Sequence, residues 1–390
     1  MSSHDPMKFA TGLSARLATR SRHVCAFLGA GAARACGLPD VVELQQRVLA
    51  DLSDSNRKLL DIQLVGRNLE QALSRLRRIA ALLTGEETID GLTAVQAANL
   101  DATICRSIVK ALDVQGANLV PTCQFAAWIA RTSYLQPLEV FTVNYDLLIE
   151  TGLERLRVPY FDGFIGHLRA RFQTELVEAI LGTDRESVPA FFVRLWKLHG
   201  SVNWAWEQDQ QIVRLGHAVT DGGAAAIYPS DAKYEESRRV PFVVLQDRLR
   251  RALHQPETLM IVSGYSFGDA HLNELLFDAA TRRERSEIIA FCYSDIPEVL
   301  AKRATTTPNL QVVSGKEAIL AGVRADWKVS GEASTDIWDE AQFKLGDYRH
   351  LAAYLARSAA REPEGDTVLR DLLAKAITNG NSGAGAQGNG

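Results

Sequence analysis

The sequence predicts an α/β fold: a Rossmann-like doubly wound parallel sheet with a helical insertion module and a C-terminal helical extension. Three observations predict it. Short apolar runs without polar alternation recur along the chain, as in strands buried on both faces. Segments with apolar residues at three- and four-residue steps separate them, so strands alternate with helices and the sheet is parallel. Clusters of polar residues stand where the strands stop, the edge at which such sheets bind ligands.

Residues 1–21 read as an amphipathic lead-in. The first strand is Val24-Cys25-Ala26-Phe27-Leu28, followed at once by Gly29-Ala30-Gly31 and an alanine-rich segment able to start a helix. Strand, Gly-x-Gly turn and helix N-terminus make a phosphate cradle, because glycine lets the backbone approach and the orphan N–H groups face the anion. A dinucleotide is therefore the first ligand expectation. The dehydrogenase form of the motif wants a third glycine, where Arg34 stands, and an acidic residue closing the next strand. Here the chain reaches Gly37-Leu38-Pro39-Asp40 and a polar helix instead. Taken alone, the Gly-x-Gly reads equally well as an ordinary tight turn.

Helical patterns then run over Val42 to Leu52, Leu69 to Leu83, Leu92 to Leu112 and Pro121 to Ser133, the last with proline at a plausible first position. They predict a helical insertion over about 41–135, inside a domain spanning 22–330. The second strand, Leu138 to Val143, ends in Thr142-Val143-Asn144-Tyr145-Asp146. A third, Val193 to Leu198, ends in Lys197-Leu198-His199-Gly200-Ser201. A fourth, Thr258 to Ser263, ends in Gly264-Tyr265-Ser266-Phe267-Gly268-Asp269-Ala270-His271-Leu272-Asn273. Ile288 to Cys292 and Leu310 to Val313 complete the sheet. Beyond Gly331 an extension over 331–377 carries helical patterns at Ile337 to Phe343 and Tyr348 to Ala360. The Gly/Asn/Ser/Ala-rich stretch Thr378 to Gly390 predicts a disordered tail.

Each polar residue has a structural reading by itself. Asn144 or Asp146 suits a helix N-cap, His199 a core histidine, and Asp269 and Asn273 caps of the following helix. Gathered on one sheet edge, they favour a functional site.

Composition narrows the class. The chain has 390 residues, 46% hydrophobic and 23% charged, with a net charge of −4 that gives no reason to expect direct nucleic-acid binding. Its five cysteines form neither a C-x-x-C pair nor a zinc spacing, a reduced, cytoplasmic pattern with no metal expected. The N-terminus lacks a signal-peptide core, and no apolar run approaches the 18 residues of a membrane span.

In this order the motifs resemble the sirtuin family, in its sirtuin-like NADase branch from bacterial anti-phage defence. Gly29-Ala30-Gly31 with Gly37-Leu38-Pro39-Asp40 is similar to the family's GAG…GxPD loop, and Thr142 to Asp146 to its TxNxD segment. Lys197 to Ser201 resembles the KLHGS segment. Gly264-Tyr265-Ser266 with Phe267, Asp269, His271 and Asn273 resembles the late glycine–serine signature of the bacterial branch. The resemblance covers about residues 22–315. Two departures stand out: Ala32 replaces a serine, and the four-cysteine zinc module of protein deacylases has no counterpart.

The resemblance implies an NAD+ glycohydrolase that depletes NAD+. Asn144 and His199 would be catalytic. Gly29, Ala30, Gly31, Ala32, Asp40, Thr142, Asp146, Gly264, Ser266, Phe267, Asp269 and Asn273 would hold the dinucleotide. The chemistry fits these residue types. The nicotinamide bond already carries a cationic leaving group, so the protein must hold ribose and pyrophosphate, stabilise developing positive charge and position one water. An amide such as Asn144 orients without titrating, and a histidine serves as base near neutral pH. Two alternatives stay open: a non-catalytic NAD- or ADP-ribose-binding module, and, ranked below it, a protein deacylase or ADP-ribosyltransferase. The resemblance further implies a homo-oligomer controlled by a HerA-type ATPase, with a short Argonaute as the alternative partner. The apolar residues of the insertion, and Trp338, Phe343, Tyr348 and Tyr354, fit a partner surface or internal packing equally well.

Overall fold

The computed structural model describes residues 3–179, 192–207, 211–219, 225–227, 240–282 and 286–358. The tail expected at 378–390, and the extension beyond 358, lie outside the described residues.

Helix α1 (Pro6–Ala18), strand β1 (His23–Leu28) and short helix α2 (Ala30–Ala35) open the chain. Helices α3 (Val41–Asp51), α4 (Asp54–Leu64), α5 (Leu69–Leu82), α6 (Ala94–Ala111) and α7 (Val120–Arg131) precede β2 (Glu139–Thr142) and α8 (Leu148–Arg155). Next come β3 (Tyr160–Phe161), β4 (Phe164–Ile165), β5 (Ala170–Phe172), α9 (Thr174–Glu178), β6 (Val193–Lys197), β7 (Gly200–Trp206), β8 (Ile212–Arg214) and β9 (Ala225–Ile227). The last third holds α10 (Phe242–Leu253), β10 (Thr258–Ser263), α11 (Ala270–Arg282), β11 (Glu287–Phe291), α12 (Glu298–Thr306) and β12 (Leu310–Val313). Two hairpins, β13 (Glu317–Leu320) with β14 (Val323–Asp326) and β15 (Trp338–Asp339) with β16 (Gln342–Phe343), lead to α13 (Tyr348–Ser358).

A nine-stranded sheet in the order β14-β13-β12-β11-β10-β1-β2-β6-β3 forms the centre. Its strands are parallel from β12 to β3, and the β13–β14 hairpin adds an antiparallel edge. The fold is thus α/β and Rossmann-like, with helices on both faces. Alternation along each strand divides the core in two. Cys25, Phe27, Phe141 and Trp196 face α10, α11 and α12, whereas Val24, Ala26, Val140 and Leu195 face α1, α7, α8 and α13. Each large side chain buried this way stabilises the fold by about 1.5–3 kcal/mol.

The insertion is narrower than the sequence pattern suggests. Helices α3 to α6 bury Leu44, Val48, Leu60, Leu73, Leu100 and Ile104 in a separate core that they share with Tyr145 and with Val202, Ala205 and Val213 of the second sheet. Helix α7 instead puts Phe125 and Trp128 against the main sheet and packs on α8 and α13, making it a crossover helix of the central fold.

One expectation is corrected here, and two that were open are filled in. The lead-in is a core helix, capped by the Asp5 side chain and burying Phe9, Leu13 and Leu17. The segment Ile337 to Phe343, read as helical, forms the β15–β16 hairpin, turned by Glu340 and Ala341 at φ 50° and 57°. Of the two uses left open for the C-terminal aromatic residues, internal packing is the one found: Phe343, Tyr348 and Tyr354, with Leu351, are buried in the core shared with α1 and α7. A second, antiparallel sheet, β4-β5-β8-β7-β9, was not expected at all. Among the described residues no helix is long and apolar enough to cross a membrane.

Candidate active site

The loops after β1, β2, β6 and β10 open into one cavity of about 680 Å³, roofed by α5 and α6 and walled on one side by the start of α13. Ala30, Gly31, Asp40, Asn144, Asp146, His199, Gly264, Ser266 and Asp269 line it. A volume of this size suits a nucleotide-sized ligand. Its position beyond the carboxyl ends of the strands is the one that the topology favours.

Close backbone packing sets the floor. Gly29 and Gly31 meet Gly264 where the turns after β1 and β10 cross; a Cβ on Gly31 would lie 2.6 Å from the Gly264 Cα, and Gly264 itself has φ +66°. This contact corrects the expected cradle. The Gly29 N–H donates to the Ser263 carbonyl at 3.0 Å and the Gly31 N–H to the Gly264 carbonyl at 2.8 Å. These two amides therefore tie two strand ends together, and the glycines make that close approach possible.

Asn144 stands on that floor. Its backbone N–H donates to the Thr142 hydroxyl at 3.0 Å, and its side-chain Nδ2 donates to the Gly29 carbonyl at 3.0 Å. The amide is thereby fixed, and its Oδ1 has no hydrogen-bond partner among the described residues. Beside it, the Asp146 side chain accepts from the Leu148 N–H, the first of α8, at 3.0 Å. Burial pushes its carboxyl above the usual value, against the pull of Lys197, whose Nζ donates to the Asp146 carbonyl and pairs with Glu150 at 2.9 Å.

His199 follows β6, and its Nε2 lies 3.4 Å from Oδ2 of Asp269. Asp269 also accepts from the backbone N–H groups of His271 and Leu272 at 2.9 and 3.2 Å, so the cap of α11 and the partner of His199 are one carboxylate. Burial works against the charge on Asp269. The bond to His199, that residue's charge and the two amides outweigh it and hold the carboxyl below its usual value. With Nε2–H turned to Asp269, Nδ1 keeps the lone pair that can accept a proton.

The remaining expected residues lie behind the wall. Thr142 donates to the Leu28 carbonyl at 3.0 Å, locking β2 to β1. Asn273 donates to the Phe267 carbonyl at 2.7 Å and accepts from the Tyr265 hydroxyl at 3.1 Å. Phe267, at φ 56°, packs between Tyr265 and Phe277. These three, with Gly29 and the buried Ala32, shape the loops that carry the lining residues. Asp40 does line the cavity, but it also caps α3 and pairs with Arg34 at 2.6 Å.

Several lining residues were not anticipated. Asn68 and Glu70 come from the start of α5, where Glu70 accepts from the Tyr145 hydroxyl at 2.8 Å; Tyr293, Asp347, Tyr348 and Arg349 form the far wall. The capping box of Asn68 with Gln71 marked a helix start, but nothing in it marked a site.

One group of three potential metal ligands occurs among the described residues, His23, Cys25 and Glu139, at the opposite end of the sheet. Glu139 is already bonded to His23 at 2.9 Å, to Trp196 at 2.7 Å and twice to Arg248, which makes the group a buried ion-pair network.

A Rossmann-like α/β fold with its polar residues gathered at the carboxyl edge is a nucleotide-binding architecture. Residues 138–311, from the start of β2 into β12, match the family model of the SIR2-like domain, whose members are typically NAD-dependent enzymes. The matched segment contains Asn144, Asp146, His199 and Gly264 to Asn273; the glycine turn after β1 lies outside it. No curated protein matches the chain.

Proposed function

We propose that the chain is an NAD+ glycohydrolase, converting NAD+ and water to ADP-ribose, nicotinamide and a proton. The observation that carries this reading is the His199–Asp269 pair on the wall of the cavity that Asn144 also lines, within the SIR2-like segment. In the reaction, the bond from the ribose C1′ to the nicotinamide nitrogen breaks, and its electron pair neutralises the departing ring. Water attacks C1′ and passes its proton to Nδ1 of His199, which releases it to solvent. Asp269 holds the ring in the required tautomer and stabilises the imidazolium. Asn144 Oδ1 orients the ribose hydroxyls or the attacking water, and Gly31, Gly264 and Ser266 shape the pyrophosphate path.

The activity is that of a cytoplasmic anti-phage effector which removes NAD+ when triggered. Supporting this is the resemblance of the four ordered motifs to the defence branch. Uncontrolled hydrolysis would exhaust the host's own NAD+, so a homo-oligomer regulated by a HerA-type ATPase is the expected assembly, in preference to one with a short Argonaute. Most apolar residues of the insertion, and Phe343, Tyr348 and Tyr354, are used inside the fold. Exposed Val42, Val65, Leu82 and Val95 remain on the insertion.

Chromatography of NAD+ incubated with the purified protein, alone and with a HerA-type ATPase, tests the reading. Equal amounts of nicotinamide and ADP-ribose support it. NAD+ bound but intact under both conditions marks a binding module instead.

A further inference from the structure

Tyr145 stands between Asn144 and Asp146 in the turn after β2, yet its side chain turns into the insertion. The ring is buried in the core of α3 to α6, and the hydroxyl donates to Oε1 of Glu70 at 2.8 Å. Glu70 is the second residue of α5, where an acidic side chain ordinarily does no more than favour the helix dipole. Here the same residue lines the cavity and bonds to a partner 75 positions away in sequence. Burial, with the Glu70 charge beside it, pushes the phenol well above its usual pKa and so keeps it a donor.

The main chain of Tyr145 is tied in a different direction. Its carbonyl accepts from the Val202 N–H at 2.9 Å, from the Ser201 hydroxyl at 3.3 Å and from Nζ of Lys197 at 3.4 Å. Those three donors bracket His199 in sequence, at the end of β6 and the start of β7. One residue thus reaches the insertion through its hydroxyl, the histidine turn through its carbonyl, and Asn144 through the peptide bond.

A hydrogen bond to a carboxylate is among the stronger ones a side chain makes, and a small misplacement of a reacting group costs a large factor in rate. We infer that Glu70 is a positioning residue: through the Tyr145 hydroxyl it holds the turn that presents Asn144 and anchors the turn that carries His199. It acts through Tyr145 and not by touching the reacting atoms. The inference rests on the NAD+ reading, and it makes the insertion, rather than the central sheet alone, part of the catalytic geometry.

Steady-state turnover of NAD+ by wild type, Glu70→Ala, Glu70→Gln, Tyr145→Phe and the double variant Glu70→Ala with Tyr145→Phe, in an activated preparation, tests it. Glu70→Ala and Tyr145→Phe should each lower kcat about 10-fold, with KM within about twofold of wild type. Glu70→Gln, whose amide oxygen still accepts from the hydroxyl, should restore most of the wild-type kcat. The double variant should be no slower than the slower single one, since both changes remove the same bond. A double variant slowed by the product of the two effects overturns the inference, because Glu70 then acts without Tyr145. A raised KM at unchanged kcat overturns it too, since Glu70 then holds the substrate. Unchanged kinetics in both single variants overturns the positioning role and leaves the proposed activity standing. A wild type that releases no nicotinamide overturns the activity, and the positioning role with it.

Discussion

Asp269 serves two masters: Oδ1 accepts from the first-turn amides of α11, while Oδ2 faces Nε2 of His199 at 3.4 Å. The helix cap therefore fixes the carboxylate that orients the base, coupling the local stability of α11 to the chemistry.

Asp269→Asn separates the two roles, because asparagine caps a helix as well as aspartate does. The variant should stay folded and lose at least about 10-fold in turnover, through loss of the imidazolium partner. The pH sign follows from the lowered carboxyl. Its contribution to stability is complete above pH about 4 and is lost as pH falls through the folded-state value. The variant's acid-unfolding curve should lack that component. Full turnover in the variant would refute the assignment.

Glu139 is buried among His23, Trp196 and Arg248. Burial opposes its charge, but Arg248 and His23 hold the carboxyl well below its usual range. Glu139→Gln leaves Arg248 without its counter-charge and should cost about 3–5 kcal/mol in denaturant unfolding. Turnover per folded molecule should be unchanged, since the network lies at the opposite end of the sheet.

Arg194 shows the reverse case. Among the described residues its buried Nε, Nη1 and Nη2 find no hydrogen-bond partner, and burial lowers its pKa to about 10. Glu139 is occupied elsewhere, so Arg194→Met removes a desolvation penalty at little loss. A thermal melt should show a variant as stable as wild type or more stable by about 1–3 kcal/mol. A large drop in melting temperature would mean that the guanidinium has a stabilising role.

Gly264 sits at φ +66°, and a Cβ there would run into Gly31 and Ala32. Gly264→Ala should separate the two turns, costing at least about 2 kcal/mol and most of the NAD+ affinity. Wild-type binding by this variant would show that the crossing of the turns does not shape the cavity.

The central strands were legible because burial on both faces writes them as unbroken apolar runs, Val24 to Leu28 and Thr258 to Ser263 among them. Strands of two or three residues, such as β4 and β8, write no such pattern. The β15–β16 turn hides because Glu340 and Ala341 take left-handed conformations with neither glycine nor asparagine to signal them. Asn144, His199 and Asp269 were visible as polar residues at strand ends, but their pairing is a tertiary fact. The Gly-x-Gly pattern announced a turn, but its packing against Gly264 is again a tertiary fact. Tyr293 and Arg349 carry no local signal, because only the contact of Gly346 with Cys292 brings them to the cavity.

The most direct test of the central claim is nicotinamide release from NAD+, followed by proton NMR, for wild type, His199→Ala and Asn144→Ala in an activated preparation. The account predicts steady release by the wild type and a loss of at least about 100-fold in each variant, with melting temperatures preserved. Wild-type release by a folded His199→Ala protein would contradict it.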